Sequence, residues 1–439
     1  MWNSGSQEKI RIHDFQLSTI KLGKDQVEEY AAREKRFLSP KQKNGSGRIS
    51  TTSLPECLLG AVKISAPRFV ALDTATISYV TENCTDLQVR EMLSVFRGGE
   101  WIPYVTLHHL EEIACHESDI VFNRRFEFIS NLPFVGYLRL PHEAANVGSI
   151  VDVQQAEIEF LADHLGACHN EVLNAVKPKM RNGYCSGAQF RSENLSWWEF
   201  FRENFAEGAR RQRSDISNLT HFPTTDLKQR IPAPGAQTRA LSEEGAVEHF
   251  SRLARRLEHK IRSDGDCRNI DPKAAAENIM WESLKETLQD MKSGRADLFE
   301  ASLERDGVKR ERLPARATVE DVNYEAVFVA QMQVYARRLG KSRDELLAKV
   351  RKEQMPSWSV WHELDSRIKQ LPRAEIGNVQ DKYIASFGVY VDLIDVDKRI
   401  AELLRQASKT NSLCLMVFQR VPKKRGIASL LDAMKAAET

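Results

Sequence analysis

Acidic residues recur in this sequence where a short apolar run gives way to a helix-like segment. Four such acids are Asp73, Glu112, Asp381 and Asp397. An acid directly after a buried parallel strand lies at the carboxyl edge of the sheet, where ligands bind in open α/β folds. Several carboxylates at one edge raise one another's pKa unless a cation neutralises them. Mg²⁺ and Mn²⁺ prefer carboxylate and water oxygens, so the pattern predicts a divalent-cation site.

A magnesium ion held by a few carboxylates has further positions for water and for a substrate phosphate. This arrangement is the standard apparatus for phosphodiester cleavage. Asp73 alone has a simpler explanation, because Asp is a common helix N-cap and Asp73 directly precedes a helical segment. The recurrence of acids at comparable junctions is what favours the metal site.

Alternating strands and helices must position these acids. Short strands are predicted at 69–72, 101–106 and 132–139, with helical segments at 77–96, 107–115 and 123–130. After residue 371 the sequence predicts a helix at 382–390, a strand at 391–395, a helix from 397, a last strand at 413–418 and a final amphipathic helix. Such alternation indicates βαβ units and a parallel sheet.

The stretch between these two halves has a different, mostly helical pattern. Helical periodicity occurs at 151–165, 197–214, 245–261, 274–292, 324–339 and 342–352. We therefore predict an N-terminal extension (1–60) with a basic Gly/Ser loop at 39–48, an α/β domain in two parts (61–145 and 371–439), and a helical insertion between them (146–370).

Composition sets broad limits. Hydrophobic residues make up 42% and charged residues 28%, as in ordinary globular proteins. The seven cysteines are scattered without a Cys-x-x-Cys pair, which argues against a disulfide framework or zinc ribbon and for a reducing compartment. No transmembrane run or signal peptide is recognisable, so we expect a cytoplasmic protein. The net charge of +2 means that any nucleic-acid affinity must come from local patches.

Four motifs resemble those of PIN-like nucleases. They are Phe-Val-Ala-Leu-Asp-Thr at 69–74, Ile-Pro-Tyr-Val-Thr-Leu-His-His-Leu-Glu-Glu-Ile at 102–113, Gly-Asn-Val-Gln-Asp-Lys-Tyr-Ile-Ala-Ser at 377–386, and Val-Asp-Leu-Ile-Asp-Val-Asp-Lys-Arg at 391–399. The resemblance covers about residues 65–140 and 375–420. It implies a three-layer α/β/α domain with a central parallel sheet. The large insertion departs from the compact family pattern.

The resemblance also implies site residues and a reaction. Asp73, Glu112, Asp381 and Asp397 would bind Mg²⁺ or Mn²⁺, and hydrolysis would leave a 5′-phosphate and a 3′-hydroxyl. Two assignments stay open, because Glu111 can replace Glu112 and Asp395 can share the work of Asp397. Further supporting residues would be Thr74 and Asn378, which orient ligands or bind phosphate or simply cap helices, and His109, which would lie near the acids.

A zinc site is the rival interpretation of the second motif. His109, Glu112 and His116 are spaced three and four apart and could share a helix face. A zincin, however, needs His-Glu-x-x-His with histidines at i and i+4, and this segment does not supply it.

Basic clusters supply candidate nucleic-acid contacts. These are Arg124, Arg125, Arg210, Arg211, Arg213, Lys398 and Arg399. Aromatics at Trp197, Trp198, Phe200 and Phe201 precede the second cluster, so that bases could stack on the rings while arginines bind phosphates. The alternative is an amphipathic helix with aromatics in the core and arginines in water.

The leading hypothesis is a metal-dependent nuclease that cuts single-stranded RNA, with the insertion selecting or gating substrate. One alternative is a catalytically silent PIN-like scaffold that binds nucleic acid or a partner protein. Another is DNA cleavage, because metal-assisted attack does not need the 2′-hydroxyl. An uncontrolled nuclease is harmful, so we also expect a toxin or antiviral defence role restrained by a regulatory protein partner.

Overall fold

Five short strands form one mostly parallel sheet. The computed structural model describes residues 67–116, 118–139, 147–181, 183–195, 202, 228–233, 242–264, 271–293, 297–371, 377–423 and 426–437. The strands are β1 Arg68–Ala71, β2 Trp101–Tyr104, β3 Val135–Gly136, β4 Tyr184–Cys185 and β5 Leu393–Ile394. Their order is β4-β3-β2-β1-β5, and every neighbouring pair is parallel except β3 with β4.

Strand register brings three strand ends to the same level. Ala71 of β1 is opposite Tyr104 of β2 on one side and Ile394 of β5 on the other. Tyr104 is in turn opposite Gly136 of β3, where a Cβ atom would lie 2.6 Å from the Phe69 ring, so only glycine fits without displacing that ring. The residues that follow β1, β2 and β5 therefore leave the sheet at one carboxyl edge.

Helices connect the strands and continue through most of the remaining chain. They are α1 Thr74–Asn83, α2 Asp86–Arg97, α3 Leu107–Ala114, α4 Asp119–Ser130, α5 Ile150–Asp163, α6 His169–Arg181, α7 Glu243–Asp264, α8 Pro272–Lys292, α9 Leu298–Asp306, α10 Val319–Leu339, α11 Arg343–Lys349, α12 Pro356–Ile368, α13 Gly377–Phe387, α14 Lys398–Ala407, α15 Ser412–Gln419 and α16 Ile427–Ala436. A helical turn at Gly187–Phe190 runs into a π-helical turn at Arg191–Leu195. The protein is thus an α/β fold followed by a largely helical region.

Both faces of the sheet are covered because alternate residues of β1 point to opposite sides. Val70 belongs to a buried apolar cluster with residues of α1, α2, α4 and α16. On the other face the Phe69 ring meets the Tyr104 ring edge-on at 5.9 Å, and Tyr104 lies 6.3 Å from the ring of Phe387 on α13. This double burial explains why β1 and β2 are nearly continuous apolar runs.

A buried carboxylate of the predicted insertion contacts the second part of the α/β domain. Glu157 of α5 accepts hydrogen bonds from the Ser357 backbone N–H, the Ser357 hydroxyl and the Tyr390 hydroxyl. These bonds join α5, α12 and the turn after α13, and Arg68–Thr439 form one compact unit. None of the described helices has the length and apolar character of a membrane span.

The predicted strands and helices around the acids are largely confirmed, with one clear error. The helical segment predicted at 77–96 is two helices, α1 and α2, and Thr85 and Gln88 form a capping box at the start of α2. The strand predicted at 413–418 is wrong, because these residues lie in α15. Asn411 caps that helix by accepting hydrogen bonds from the N–H groups of Leu413 and Cys414. A short apolar run does not by itself distinguish a strand from a buried helix.

Other differences concern extent and omission. The strand predicted at 132–139 is reduced to Val135–Gly136. Helices α6, α9 and α12 and the antiparallel strand β4 were not predicted. The extension 1–60 and most of the predicted helix 197–214 lie outside the described residues.

Candidate functional site

Asp73 occupies the carboxyl edge of β1, as its place in the sequence predicts. It is the N-cap of α1, and its Oδ1 accepts a hydrogen bond from the Ala75 N–H at 3.1 Å. The residue is only 6% exposed. The pKa of Asp73 is raised to about 7, mainly by burial and also by the carboxylates of Asp395, Glu112 and Asp397. The hydrogen bond from Ala75 acts in the opposite direction. Capping alone would lower the pKa, so its neighbours set Asp73 apart from an ordinary N-cap.

Asp381 on α13 has a strongly perturbed carboxyl group. Burial, followed by the charges of Asp73, Glu112 and Asp397, raises its pKa to about 9, while Arg399 acts in the opposite direction. Repulsion between charges falls with distance and is screened in salt solution over about 10 Å. Acids from four separate segments of the chain therefore share one small region, which we call the acidic cluster (Asp73, Glu112, Asp381 and Asp397).

The structure distinguishes Glu112 from its neighbour Glu111. Burial raises the pKa of Glu112, while the Thr74 hydroxyl and Arg125 oppose the rise. Glu112 also acts on the pKa of Asp73 and Asp381. The carboxyl group of Glu111 instead lies 3.3 Å from Nδ1 of His108. The geometry therefore favours Glu112 as the member of the acidic cluster.

Asp395 and Asp397 both approach Asp73, from the connection between β5 and α14. Asp397 caps α14, where its Oδ1 accepts a hydrogen bond from the Ile400 N–H at 2.6 Å. It raises the pKa of both Asp73 and Asp381. Asp395 accepts a hydrogen bond from the Thr76 hydroxyl, and its N–H donates to the Ala71 carbonyl at 2.9 Å. Thus the charge of Asp397 acts on both aspartates, whereas Asp395 acts on Asp73 and is bonded to β1 and α1.

His109 lies directly behind the acidic cluster and is completely buried. Its Nε2 is 2.6 Å from the Leu72 carbonyl oxygen, and its Nδ1 lies 3.0 Å from the Thr106 backbone nitrogen. These partners assign the proton to Nε2, which donates to Leu72, while Nδ1 accepts from Thr106. Burial lowers the pKa of His109 to about 4. The ring is therefore neutral and holds the backbone immediately before Asp73; with both nitrogens engaged, it is a poor zinc ligand.

The chemistry of the donor set fits a hard divalent cation. All four members of the acidic cluster offer carboxylate oxygens, which suit Mg²⁺ or Mn²⁺. Glu112 Oε2 and Thr74 Oγ1 are buried without a well-formed hydrogen bond to any described residue. Within the described segments, however, no three His, Cys, Asp or Glu side chains already stand at metal-ligand spacing. The cluster supplies oxygen donors, and a bound cation would have to draw them closer together.

The predicted nucleic-acid contacts divide into different groups. Arg124 and Lys398 are exposed, and Arg399 is half-buried and close enough to Asp381 to lower its pKa. Arg125 differs from the prediction because it is buried and donates from Nε and Nη2 to Glu82 at 3.1 and 2.7 Å. Its ion pair joins α4 to α1. The side chain of Asn378 and all of Arg210, Arg211 and Arg213 lie outside the described residues.

Sequence reasoning missed two polar contacts made by residues close in sequence to the acidic cluster. One is the Thr76 hydroxyl, which donates to Asp395. The other is a buried ion pair between Lys382, adjacent to Asp381, and Asp365 of α12. A lysine beside the apolar pair Tyr383 and Ile384 was the available signal for a buried cation.

Comparison of the chain with protein-family models, with curated proteins and with solved structures found no match. The assignment of chemistry to this site therefore rests on the geometry and charges of its own residues.

Proposed function

We propose that this protein is a metal-dependent nuclease of the PIN-like type that hydrolyses phosphodiester bonds, with single-stranded RNA as the favoured substrate. One observation carries the proposal. Four separate segments contribute acids to the carboxyl edge of a mostly parallel sheet, where the charges of Asp73, Glu112 and Asp397 act on Asp381. Placing several anions together is unfavourable without a cation, and this sheet edge is the usual ligand-binding edge of open α/β folds.

The carboxylates of the acidic cluster would hold Mg²⁺ or Mn²⁺. When bound, such an ion lowers the pKa of a water molecule and neutralises charge on a phosphoryl group. The protein's own residues would do the rest. Arg399 and the exposed Lys398 begin the helix that Asp397 caps, so they would bind substrate phosphates beside the acids. His109 would keep the Asp73 backbone in place, and Thr74 would orient a ligand from within the cluster.

The wider context of this activity also belongs to the proposal. The acidic cluster does not discriminate between RNA and DNA. The preference for RNA comes from the PIN-like resemblance. By the same resemblance we propose a cytoplasmic toxin or antiviral defence effector, restrained by a regulatory protein partner. The helical insertion would select or gate the substrate.

A catalytically silent PIN-like scaffold is the second candidate. It is favoured by the absence of metal-ligand spacing among the described side chains. It is also favoured by the pKa of Asp381, which at about 9 leaves that carboxyl group protonated at neutral pH. Such a protein would bind nucleic acid or a partner through the same surface without cutting.

Cleavage of labelled single-stranded RNA and DNA of matched sequence tests the proposal. Reactions would contain Mg²⁺, Mn²⁺ or EDTA and would compare wild type with Asp73→Asn and Asp381→Asn. Asp297→Asn is the matched control, because Asp297 caps α9 as Asp73 caps α1 but does not belong to the acidic cluster. Asparagine is as good an N-cap as aspartate, so the capping role is preserved.

The expected result is metal-dependent cutting by wild type and Asp297→Asn that falls at least about 100-fold in both cluster variants. Preference for one polymer would identify the substrate. If folded wild type neither cuts nucleic acid nor binds Mn²⁺, the nuclease proposal is refuted and the silent scaffold is the candidate that is left. Mn²⁺ binding without cutting would point to a missing activator.

A further inference from the structure

The residue next to Asp381 is a buried cation. Lys382 is 6% exposed, and its ammonium group forms an ion pair with Asp365 of α12, which is 5% exposed. Consecutive helical residues point about 100° apart. α13 therefore presents Asp381 to the acidic cluster while it presents Lys382 to α12.

Asp365 is the centre of a fully partnered buried network. Besides Lys382, it accepts from Lys369 Nζ at 2.8 Å and from the Tyr324 hydroxyl at 2.7 Å. Burial works against its charge, but the ammonium groups of Lys382 and Lys369 outweigh burial and hold the pKa of Asp365 well below its usual range. The carboxylate is therefore a permanently charged anchor, and breaking such a buried pair on one side is costly.

A second contact holds α13 from the direction of α3. The Tyr383 ring stacks on the His108 ring, with centroids 4.8 Å apart and planes at 17°. Lys382 Nζ also lies 5.3 Å from the Trp361 ring centroid on α12. Contacts on both sides of Asp381 thus fix the rotation of the helix that carries it.

The Lys382 ammonium group is directed to Asp365 of α12 and to the Trp361 ring. Because Lys382 is the next residue after Asp381, its ion pair restrains the turn of α13 that carries the Asp381 carboxyl group.

We propose that Asp365 is a positioning residue, which through its buried ion pair with Lys382 holds α13 so that Asp381 remains in the acidic cluster. The inference rests on the proposed function, since it assigns Asp381 a cation to bind. Asp365 itself would contact neither the divalent cation nor the substrate.

The test removes the ion pair while keeping the volume filled. Asp365→Leu with Lys382→Met replaces the pair by apolar side chains, a change that often preserves stability. The matched control is Glu363→Gln with Arg367→Gln. That pair lies within the same helix α12 with Oε1 and Nη2 2.6 Å apart, but each of its side chains is a quarter exposed. Each protein would be titrated with Mn²⁺, and its Tm and helix content would be measured.

We expect the control to bind Mn²⁺ like wild type and the apolar double variant to bind at least 10-fold more weakly with helix content unchanged. Lys382→Arg, which keeps the cation, should retain most of the binding. Wild-type affinity in the folded apolar double variant would overturn the inference. If that variant does not fold, Asp365→Asn decides by the same criterion, because asparagine can still accept from Tyr324 but has no charge.

Failure of the proposed function gives a different result. If wild type binds no Mn²⁺, the metal site is refuted, and the anchoring of α13 is judged by hydrogen exchange. Loss of the ion pair should then speed exchange of the amides at 381–387 at least 10-fold relative to the control, with the amides of α14 unchanged. Equal exchange in α13 would overturn the anchor as well.

Discussion

Replacing Asp381 by asparagine should make the protein more stable in the absence of divalent cations. Asparagine has nearly the shape of a protonated aspartate but has no proton to lose. Most substitutions in folded proteins destabilise. A stability gain from Asp381→Asn would therefore reveal that the wild-type carboxyl group is held in an unfavourable environment.

The sign follows from the pKa values of the two states. The pKa of Asp381 is about 9 in the folded protein, against an ordinary value of 3.8. Between these values the folded state keeps a proton that the unfolded state releases. Stability from this group is therefore complete below pH 3.8 and is lost as the pH rises to about 9.

The magnitude is set by the pH interval. Each pH unit in the window removes about 1.4 kcal/mol, so the roughly 3 units from 3.8 to pH 7 would remove about 4 kcal/mol. Asp381 retains partial contact with water, which screens part of the repulsion, so we expect about half, or about 2 kcal/mol. For a protein of this size that gain raises Tm by roughly 3 °C.

The assay is thermal or urea unfolding in EDTA at several pH values for wild type, Asp381→Asn and the capping control Asp297→Asn. The advantage of Asp381→Asn should be small near pH 4 and should grow toward pH 9. Addition of Mn²⁺ should then stabilise wild type and Asp297→Asn but not Asp381→Asn. A variant that is less stable than wild type in EDTA at pH 7, or that gains as much from Mn²⁺, would refute the reasoning.

Three further predictions separate binding from folding. Glu112→Gln should abolish stabilisation by Mn²⁺ whereas Glu111→Gln should not, as thermal shifts with and without the ion would show; equal shifts would contradict the assignment of Glu112. His109→Phe should lower the unfolding free energy at pH 7 by about 2–3 kcal/mol, because a carbonyl and an N–H lose their partner. Burial lowers the pKa of His109 from 6.5 to about 4, so the unfolded state binds a proton between these pH values and wild type loses stability as the pH falls from 6.5 to about 4. His109→Phe should remove this loss. An unchanged proton uptake on unfolding would contradict the prediction. Asp392→Asn, which weakens the bonds from Arg181 Nη2 at 2.7 and 2.6 Å, should cost about 1–3 kcal/mol at pH 7 and leave Mn²⁺ binding unchanged, since Asp392 is not in the acidic cluster.

The sequence was informative where position depends on local pattern. Asp73 and Asp397 each follow a short apolar strand and begin a helix, and both are N-caps in the structure. Parallel pairing of β1 with β2 and β5 then brings these strand ends to one edge. For such residues, knowledge of the strand and its direction is nearly sufficient to place the side chain.

The sequence was less informative where distant contacts decide. Arg125 belongs to a basic pair that is typical of a surface helix, yet it is buried against Glu82, 43 residues earlier. The apolar run at 413–418 fits a strand as well as a helix, and only the cap at Asn411 and its packing select α15. The hydrophobic periodicity of the sequence could not predict the ion pair between Lys382 and Asp365.

The contrast between Asp365 and Asp381 bears most directly on function. Both are largely buried aspartates on neighbouring helices, but the pKa of one is held below its usual range by two lysines and that of the other is raised by burial and by three acids. A fold selected for stability alone would gain by placing a cation at Asp381. Here Lys382, the lysine next to Asp381 in the sequence, forms its ion pair with Asp365. Arg399 offsets only part of the repulsion that the other acids exert on Asp381. This division of charge is what we expect of a site whose remaining positive charge comes from a bound cation.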